Sequence, residues 1–215
     1  TKSGMVEPTL EAWSRWKKDG NKVKVVRLDN AGENKTLKAR SESKDWKMNL
    51  KWEFTARNTP QQNSKVEVRI ATICNKGRAM MHRANVPKEY RYKIFPKAFE
   101  TAAVLDNLVV VEVGGKKQTR YEHFDGKLPP FAKHLRTWGE AGTVTIKKKH
   151  QPKVVDRGVT CMMVGYSADH AGDVYEMWDP VRNIIYTGTR DIIWLRRFYF
   201  SSPLPAADAA TLLSP

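Results

Sequence analysis

The chain has 215 residues, 40% of them apolar, which is enough to bury the core of one domain or of one and a half. Lys and Arg number 38 against 23 Asp and Glu, and the net charge of +15 points to a polyanionic partner, nucleic acid first. The sequence has no run of eighteen apolar residues and no signal-peptide pattern, so we expect neither a membrane span nor secretion. Two cysteines exclude a disulfide framework and a Cys-rich zinc site.

Apolar periodicity predicts the elements of the first half of the chain. Helices are expected at residues 5–18, 64–84 and 91–107, strands at 23–28 and 52–55, and a short helix within 34–50. In the second of these helices the apolar residues from Val66 through Ile70 to Ala84 recur at the helical period. We therefore expect one buried face along its whole length.

Short β-type runs dominate the second half. Residues 108–130 are predicted to be a linker with one hairpin around Gly114-Gly115, and residues 199–215 a disordered tail. Between them, the five predicted strands are 143–146, 160–165, 173–178, 183–187 and 191–195. Five strands in so short a stretch indicate a small barrel.

Two acidic residues stand out from this scaffold. Asp29 ends the first strand and Glu67 opens the long helix. Packed together, the two carboxylates would offer hard oxygen ligands to divalent cations. The structural alternative is that Asp29 forms an Asx turn and that Glu67 offsets the helix dipole.

The stretches VVRLDNAGE at 25–33 and TPQQNSKVE at 59–67 resemble motifs of the integrase of Ty1/copia-type LTR retrotransposons. Further stretches, among them Trp178-Asp179-Pro180, follow the family's order as far as about residue 200. The resemblance implies an α/β then all-β chain. Its parts are a partial RNase H-like core at 1–107 whose first strands are missing, the linker, and a small SH3-like β-barrel at 131–198.

The family's activity is DNA integration by a DDE-type polynucleotidyl transferase, through 3′-end processing and strand transfer at two Mg²⁺ or Mn²⁺ ions. By resemblance, Asp29 and Glu67 are catalytic and metal-binding residues, the second and third acids of the triad. The first acid is expected upstream of residue 1. We therefore expect an N-terminally truncated fragment with an incomplete metal site that does not catalyse strand transfer alone.

The resemblance also implies contacts with DNA, both the retroelement ends and the target. Gln61, Gln62 and Asn63 lie on the loop before Glu67, and Lys65, Arg69 and Lys76 are possible replacements for basic residues of relatives. In the barrel segment, Lys147, Lys148 and Lys149 either contact phosphates or form a solvated loop. The expected context is a pol polyprotein and a multimer, acting in the nucleus after a cytoplasmic virus-like particle stage, with no membrane partner.

Two rival interpretations remain open. The chain could be a non-catalytic nucleic-acid-binding remnant of a decayed retroelement, or its barrel could be a protein-interaction module. The first would bind DNA after both acids are neutralised, and the second would bind no DNA. Cys74 and Cys161 are expected to be small core residues, and Trp138, Trp178 and Trp194 core residues rather than platforms for bases.

Overall fold

The computed structural model of the chain describes residues 2–21, 23–55, 64–145, 158–167 and 170–201. It is a mixed α/β structure followed by a five-stranded antiparallel sheet. The chain divides into two compact units, Thr1–Ile70 and Ala71–Pro215. The domain limits expected from the sequence stay a prediction, and the expected tail lies, from residue 202 onwards, outside the described residues.

The first unit is built on a parallel pair of strands. Its elements are α1 (Val6–Lys18), β1 (Val25–Leu28), α2 (Gly32–Ser41) and β2 (Lys51–Phe54), after a 3₁₀ turn at Lys2–Met5. Strand β1 pairs with β2 from Val25 opposite Lys51 to Leu28 opposite Phe54. A parallel pair needs a crossover connection, and α2 provides it. The predicted helix α1, both strands and the short helix α2 are confirmed.

A small core holds this unit together. The buried side chains are Val6 and Leu10 of α1 and Leu37 of α2, and five further residues pack against them: Trp13, Leu28, Trp46, Met48 and Trp52. Trp13 and Trp52 are in contact, with ring centroids 6.1 Å apart. The apolar face of α1 therefore lies where its spacing predicts, except that Trp16 at its end is 39% exposed.

Helix α3 (Ser64–Arg83) confirms the predicted long helix, but the predicted buried face is wrong for its first half. Val66 and Ile70 are 57% and 50% exposed, whereas Gly77 and Met81 are buried. A β-carbon at Gly77 would come within 3.3 Å of the Phe99 amide nitrogen, so this part of α3 packs directly on a neighbouring helix. Periodicity defines a common face, but burial also needs an element opposite it.

That neighbour is α4 (Lys88–Asp106), which confirms the helix expected at 91–107. Ile94, Ala98 and Ala102 are buried, as their spacing predicts. At its end, buried Asp106 forms ion pairs with Lys76 of α3 and with Arg120, whose Nη1 lies 2.9 Å from Oδ2. The ion pairs compensate the burial of that carboxylate.

The predicted hairpin follows. Strands β3 (Val110–Val113) and β4 (Lys116–Thr119) pair antiparallel and lead directly into a short helix, α5 (Arg120–Asp125), that was not predicted. The Thr119 hydroxyl accepts from the Glu122 amide, and the Glu122 carboxylate accepts from the Thr119 amide. This capping box was readable in the sequence and explains why α5 begins there.

The five predicted strands of the second half are confirmed in number and order. They are β5 (Glu140–Thr145), β6 (Gly158–Tyr166), β7 (Tyr175–Asp179), β8 (Ile184–Thr189) and β9 (Ile192–Phe198). All pairings are antiparallel and the sheet order is β8-β7-β6-β5-β9. An SH3-like barrel stays a prediction.

The core of the second unit joins α3 and α4 to this sheet. It includes Met81 and Ile94 from the helices with Met162, Met163 and Met177 from the strands. Cys161, Trp138 and Trp178 are buried in it, as predicted, whereas Trp194 is half-buried and Cys74 is only partly covered. In the described part of the chain, no helix has both the length and the apolar character needed to cross a membrane.

Candidate functional site

Asp29 is the first residue after β1, and hydrogen bonds fix its carboxylate. The Ala31 amide donates to Oδ1 at 3.3 Å, which is the Asx turn expected on structural grounds. The Asn34 side-chain amide donates to the same Oδ1 at 2.5 Å and to the Asp29 carbonyl at 3.3 Å. The described hydrogen bonds to this carboxylate all engage Oδ1.

Asp29 lines a cleft of about 340 Å³ in the first unit. Its polar side chains include those of Asp29, Glu33 and Asn34, and Leu28 and Leu37 contribute apolar surface. Glu33 lies in the first turn of α2. Glu33 is not among the predicted site residues, although an acid four residues after Asp29, across a strand-to-helix turn, is a signal that could have found it.

Arg27, two residues before Asp29, forms an ion pair that joins the two strands. Its Nε and Nη2 donate to Glu53 Oε2 at 3.0 and 2.7 Å, which joins β1 to β2. Hydrogen bonding from Arg27, followed by that from Lys51, lowers the pKa of Glu53. In the described structure Arg27 therefore supports the strand pair.

Glu67 lies in the first turn of α3 with an exposed side chain, a position that also offsets the helix dipole. It is not among the residues that line the Asp29 cleft. The segment between β2 and α3, residues 56–63, lies outside the described residues, and with it the predicted DNA contacts Gln61, Gln62 and Asn63. The pairing of Asp29 with Glu67 stays a prediction.

Comparison with known proteins identifies a relative that matches most of the chain. The chain is 26% identical over 184 residues to the retrovirus-related Pol polyprotein from transposon TNT 1-94 of Nicotiana tabacum. The chain is a homologue of this Pol polyprotein. The match covers 81% of the chain and 12% of the polyprotein's length, and it confirms the predicted resemblance.

Family models and solved structures provide two further comparisons. No family model matches the chain. Among solved structures it is similar to a chain of the simian T-cell lymphotropic virus intasome in complex with PP2A regulatory subunit B56 gamma. The identity is 14%, the TM-score is 0.38, and the likeness covers 94% of this chain and 66% of that one.

The basic residues of this chain that are predicted to contact DNA fall into three groups. Lys65 is exposed and Arg69 half-buried on the first turns of α3. Lys76 is ion-paired with the buried Asp106, so its charge is already compensated. Lys147, Lys148 and Lys149 lie outside the described residues.

The carboxylate and amide oxygens near Asp29 suit a hard cation, but few side chains there could act as its ligands. Carboxylate and amide oxygens are the ligands that Mg²⁺ and Mn²⁺ prefer. Among the residues that the structure describes, no group of three or more His, Cys, Asp and Glu side chains could hold a metal ion. The described site thus contains a carboxylate, that of Asp29, whose orientation is fixed by hydrogen bonds.

Proposed function

We propose that the chain is part of a retroelement integrase, a DDE-type polynucleotidyl transferase that joins reverse-transcribed DNA to a target. The observation that carries this proposal is the match with a Pol polyprotein over most of the chain. The chain spans 12% of that relative's length, so the activity of the whole protein is part of the proposal.

In this proposal Asp29 and Glu67 are catalytic residues that help to hold Mg²⁺ or Mn²⁺. When bound, the ions stabilise the charge that develops on the oxygens of the reacting phosphodiester. Asn34 and the Ala31 amide orient the Asp29 carboxylate by binding Oδ1. In the triad of the integrase family, Asp29 and Glu67 would be the second and third acids.

The proposed architecture is a partial RNase H-like core followed by an SH3-like barrel. The parallel pair β1–β2 with its α2 crossover supports the first part. The five consecutive antiparallel strands β5 to β9 support the second.

The proposed partners are retroelement ends and target DNA, bound by a multimer in the nucleus. The net charge of +15 supports a polyanionic partner. Lys65 and Arg69, one turn apart at the start of α3, are proposed to contact DNA beside Glu67, together with Gln61, Gln62, Asn63 and Lys147 to Lys149.

The test is a strand-joining assay on the chain produced together with the residues that precede it in its reading frame. An oligonucleotide with the element's end sequence and a supercoiled plasmid are incubated with Mn²⁺. We expect joined products, and their loss in Glu67→Gln. Glu112→Gln, which neutralises an exposed acid on β3, is the matched control and should join normally. Joining by Glu67→Gln would remove Glu67 from the site.

A non-catalytic nucleic-acid-binding remnant is the second candidate. It is favoured by the small ligand set, since the described residues hold no group of three metal-binding side chains. This candidate predicts salt-sensitive DNA binding that survives Asp29→Asn combined with Glu67→Gln, and no joining by the longer protein. Joining by that protein would exclude it.

A further inference from the structure

Helices α3 and α4 enclose a groove of about 720 Å³ that belongs entirely to the second unit. We call it the α3–α4 groove. Its lining includes Arg78 and Met81 from α3 and Arg91, Tyr92 and Lys93 from α4. None of the predicted site residues lines it.

The groove is basic, and its arginine charges are not neutralised by the contacts that hold them. Among the described residues that line it there is no Asp or Glu. Arg91 donates from Nε to the Val86 carbonyl at 2.9 Å, and its Nη1 lies 3.2 Å from His82 Nε2. Arg78 Nη1 donates to the Asn75 side-chain oxygen at 2.8 Å. These partners, none of them a carboxylate, orient both guanidinium groups and leave their charge for a ligand.

Two other cations of α3 and α4 are compensated by ion pairs. Lys76 pairs with Asp106, and Lys97 lies 2.8 Å from Glu100 and 2.9 Å from Glu176. The described ion pairs of α3 and α4 thus lie outside the groove and leave the charge of its arginines in place. Such a surface attracts a polyanion.

An aromatic ring accompanies the cations. Tyr92 is 90% exposed, although a tyrosine ring in a folded protein usually packs on its neighbours. Beside it the groove contains apolar surface from Phe95 and from Met81, which is 4% exposed. Cations beside an exposed ring match the two chemical parts of a nucleotide, the phosphate and the base.

We propose that the α3–α4 groove binds single-stranded nucleic acid, with phosphates on Arg78, Arg91 and Lys93 and a base stacked on Tyr92. This inference rests on the proposed function and deepens it, because it says which surface binds the nucleic acid and that the bound nucleic acid is single-stranded. An acidic peptide would use the cations but not the ring, so the exposed Tyr92 favours nucleic acid.

The experiment measures the affinity of the full chain for a fluorescein-labelled oligodeoxythymidine by fluorescence anisotropy over a range of salt concentrations. The groove variant carries Arg78→Gln, Arg91→Gln and Lys93→Gln. Its matched control carries Lys116→Gln, Lys117→Gln and Lys127→Gln, exposed lysines of the same unit outside the groove. Circular dichroism checks that all variants fold.

We expect the groove variant to lose affinity and to lower the slope of log affinity against log salt by about two, the value for three phosphate contacts on a single strand. The control should keep most of the affinity. Tyr92→Ala should weaken binding by about tenfold at constant charge, the loss of one stacked base.

Three outcomes would overturn the groove assignment alone: equal losses in the groove variant and the control, unchanged binding by Tyr92→Ala, or displacement of the oligonucleotide by poly-glutamate as efficiently as by unlabelled oligonucleotide. If the unmodified chain binds neither this strand nor duplex DNA, the proposed DNA partner fails as well. The two failures are therefore distinguishable.

Discussion

The hydroxyl of Thr101 donates a hydrogen bond of 2.8 Å to the carbonyl of Val164. Thr101 lies on the buried face of α4 and is 3% exposed, and Val164 belongs to β6, the central strand of the sheet. The indole of Trp138 donates to the same oxygen at 3.0 Å. The Val164 carbonyl thus links both α4 and Trp138, which precedes β5, to the central strand.

Thr101→Val should destabilise the second unit by about 1 kcal/mol, because the variant loses a buried hydrogen bond while the carbonyl keeps its bond from Trp138. The measurement is the free energy of unfolding in urea, followed by circular dichroism. Thr187→Val, at an exposed position of β8, is the control and should change stability by less than about 0.5 kcal/mol. Equal effects of the two substitutions would show that the Thr101 bond contributes nothing.

Cys161 should make the folded protein sensitive to alkali. Burial, and to a smaller extent the charge of Asp179, raises the pKa of its thiol to about 12. The unfolded thiol titrates near pH 8.5, about as in model peptides. A raised folded pKa contributes stability that is complete below the unfolded pKa and is lost as pH rises towards the folded one.

We therefore expect the free energy of unfolding to fall above about pH 9, by up to about 1.4 kcal/mol per pH unit from this group. Burial also raises the pKa of Tyr166 and Tyr199, and these groups add to the fall at higher pH. Cys161→Ala should lower stability at neutral pH but flatten its decline between about pH 9 and 10, before the tyrosines titrate. Cys74→Ala is the control for a partly covered cysteine, and an equal change of slope in both variants would contradict this account.

The sequence predicts most of the elements because local signals decide them. The five strands of the second half are separated by turn residues and are confirmed one by one. The period of α4 also identifies its buried residues Ile94, Ala98 and Ala102. In these segments local pattern and tertiary packing agree.

Burial and chemistry are less predictable where they depend on neighbours distant in the chain. Val66 and Ile70 share the apolar face of α3 but are exposed, whereas Gly77, further along the helix, packs closely against α4. Lys76, a possible replacement for a basic DNA contact, forms an ion pair with Asp106, thirty residues away, which its position in the sequence does not predict. At the candidate site, the Asx turn of Asp29 is predictable from the sequence. The cleft that Asp29 shares with Glu33 is not, because it depends on the packing of α1 beside α2.

Asn34 should matter for cation binding through Asp29. Its amide donates to Oδ1, and removing a group that orients a metal ligand typically lowers metal affinity by about 10- to 100-fold. Asn34→Ala should therefore weaken Mn²⁺ binding to the chain by about tenfold, measured by water-proton relaxation. Asn49→Ala, an exposed amide of the same unit, is the control. Unchanged affinity in Asn34→Ala would show that Asp29 needs no such support.

Paramagnetic line broadening by Mn²⁺ in the ¹H–¹⁵N spectrum of the labelled chain tests whether Asp29 and Glu67 share a divalent cation. We expect the amide signals of both residues to broaden over the same range of Mn²⁺ concentration, and Asp29→Asn to abolish the broadening at residue 67. Broadening at one of the two residues alone, or at Glu67 undiminished in Asp29→Asn, would contradict this expectation.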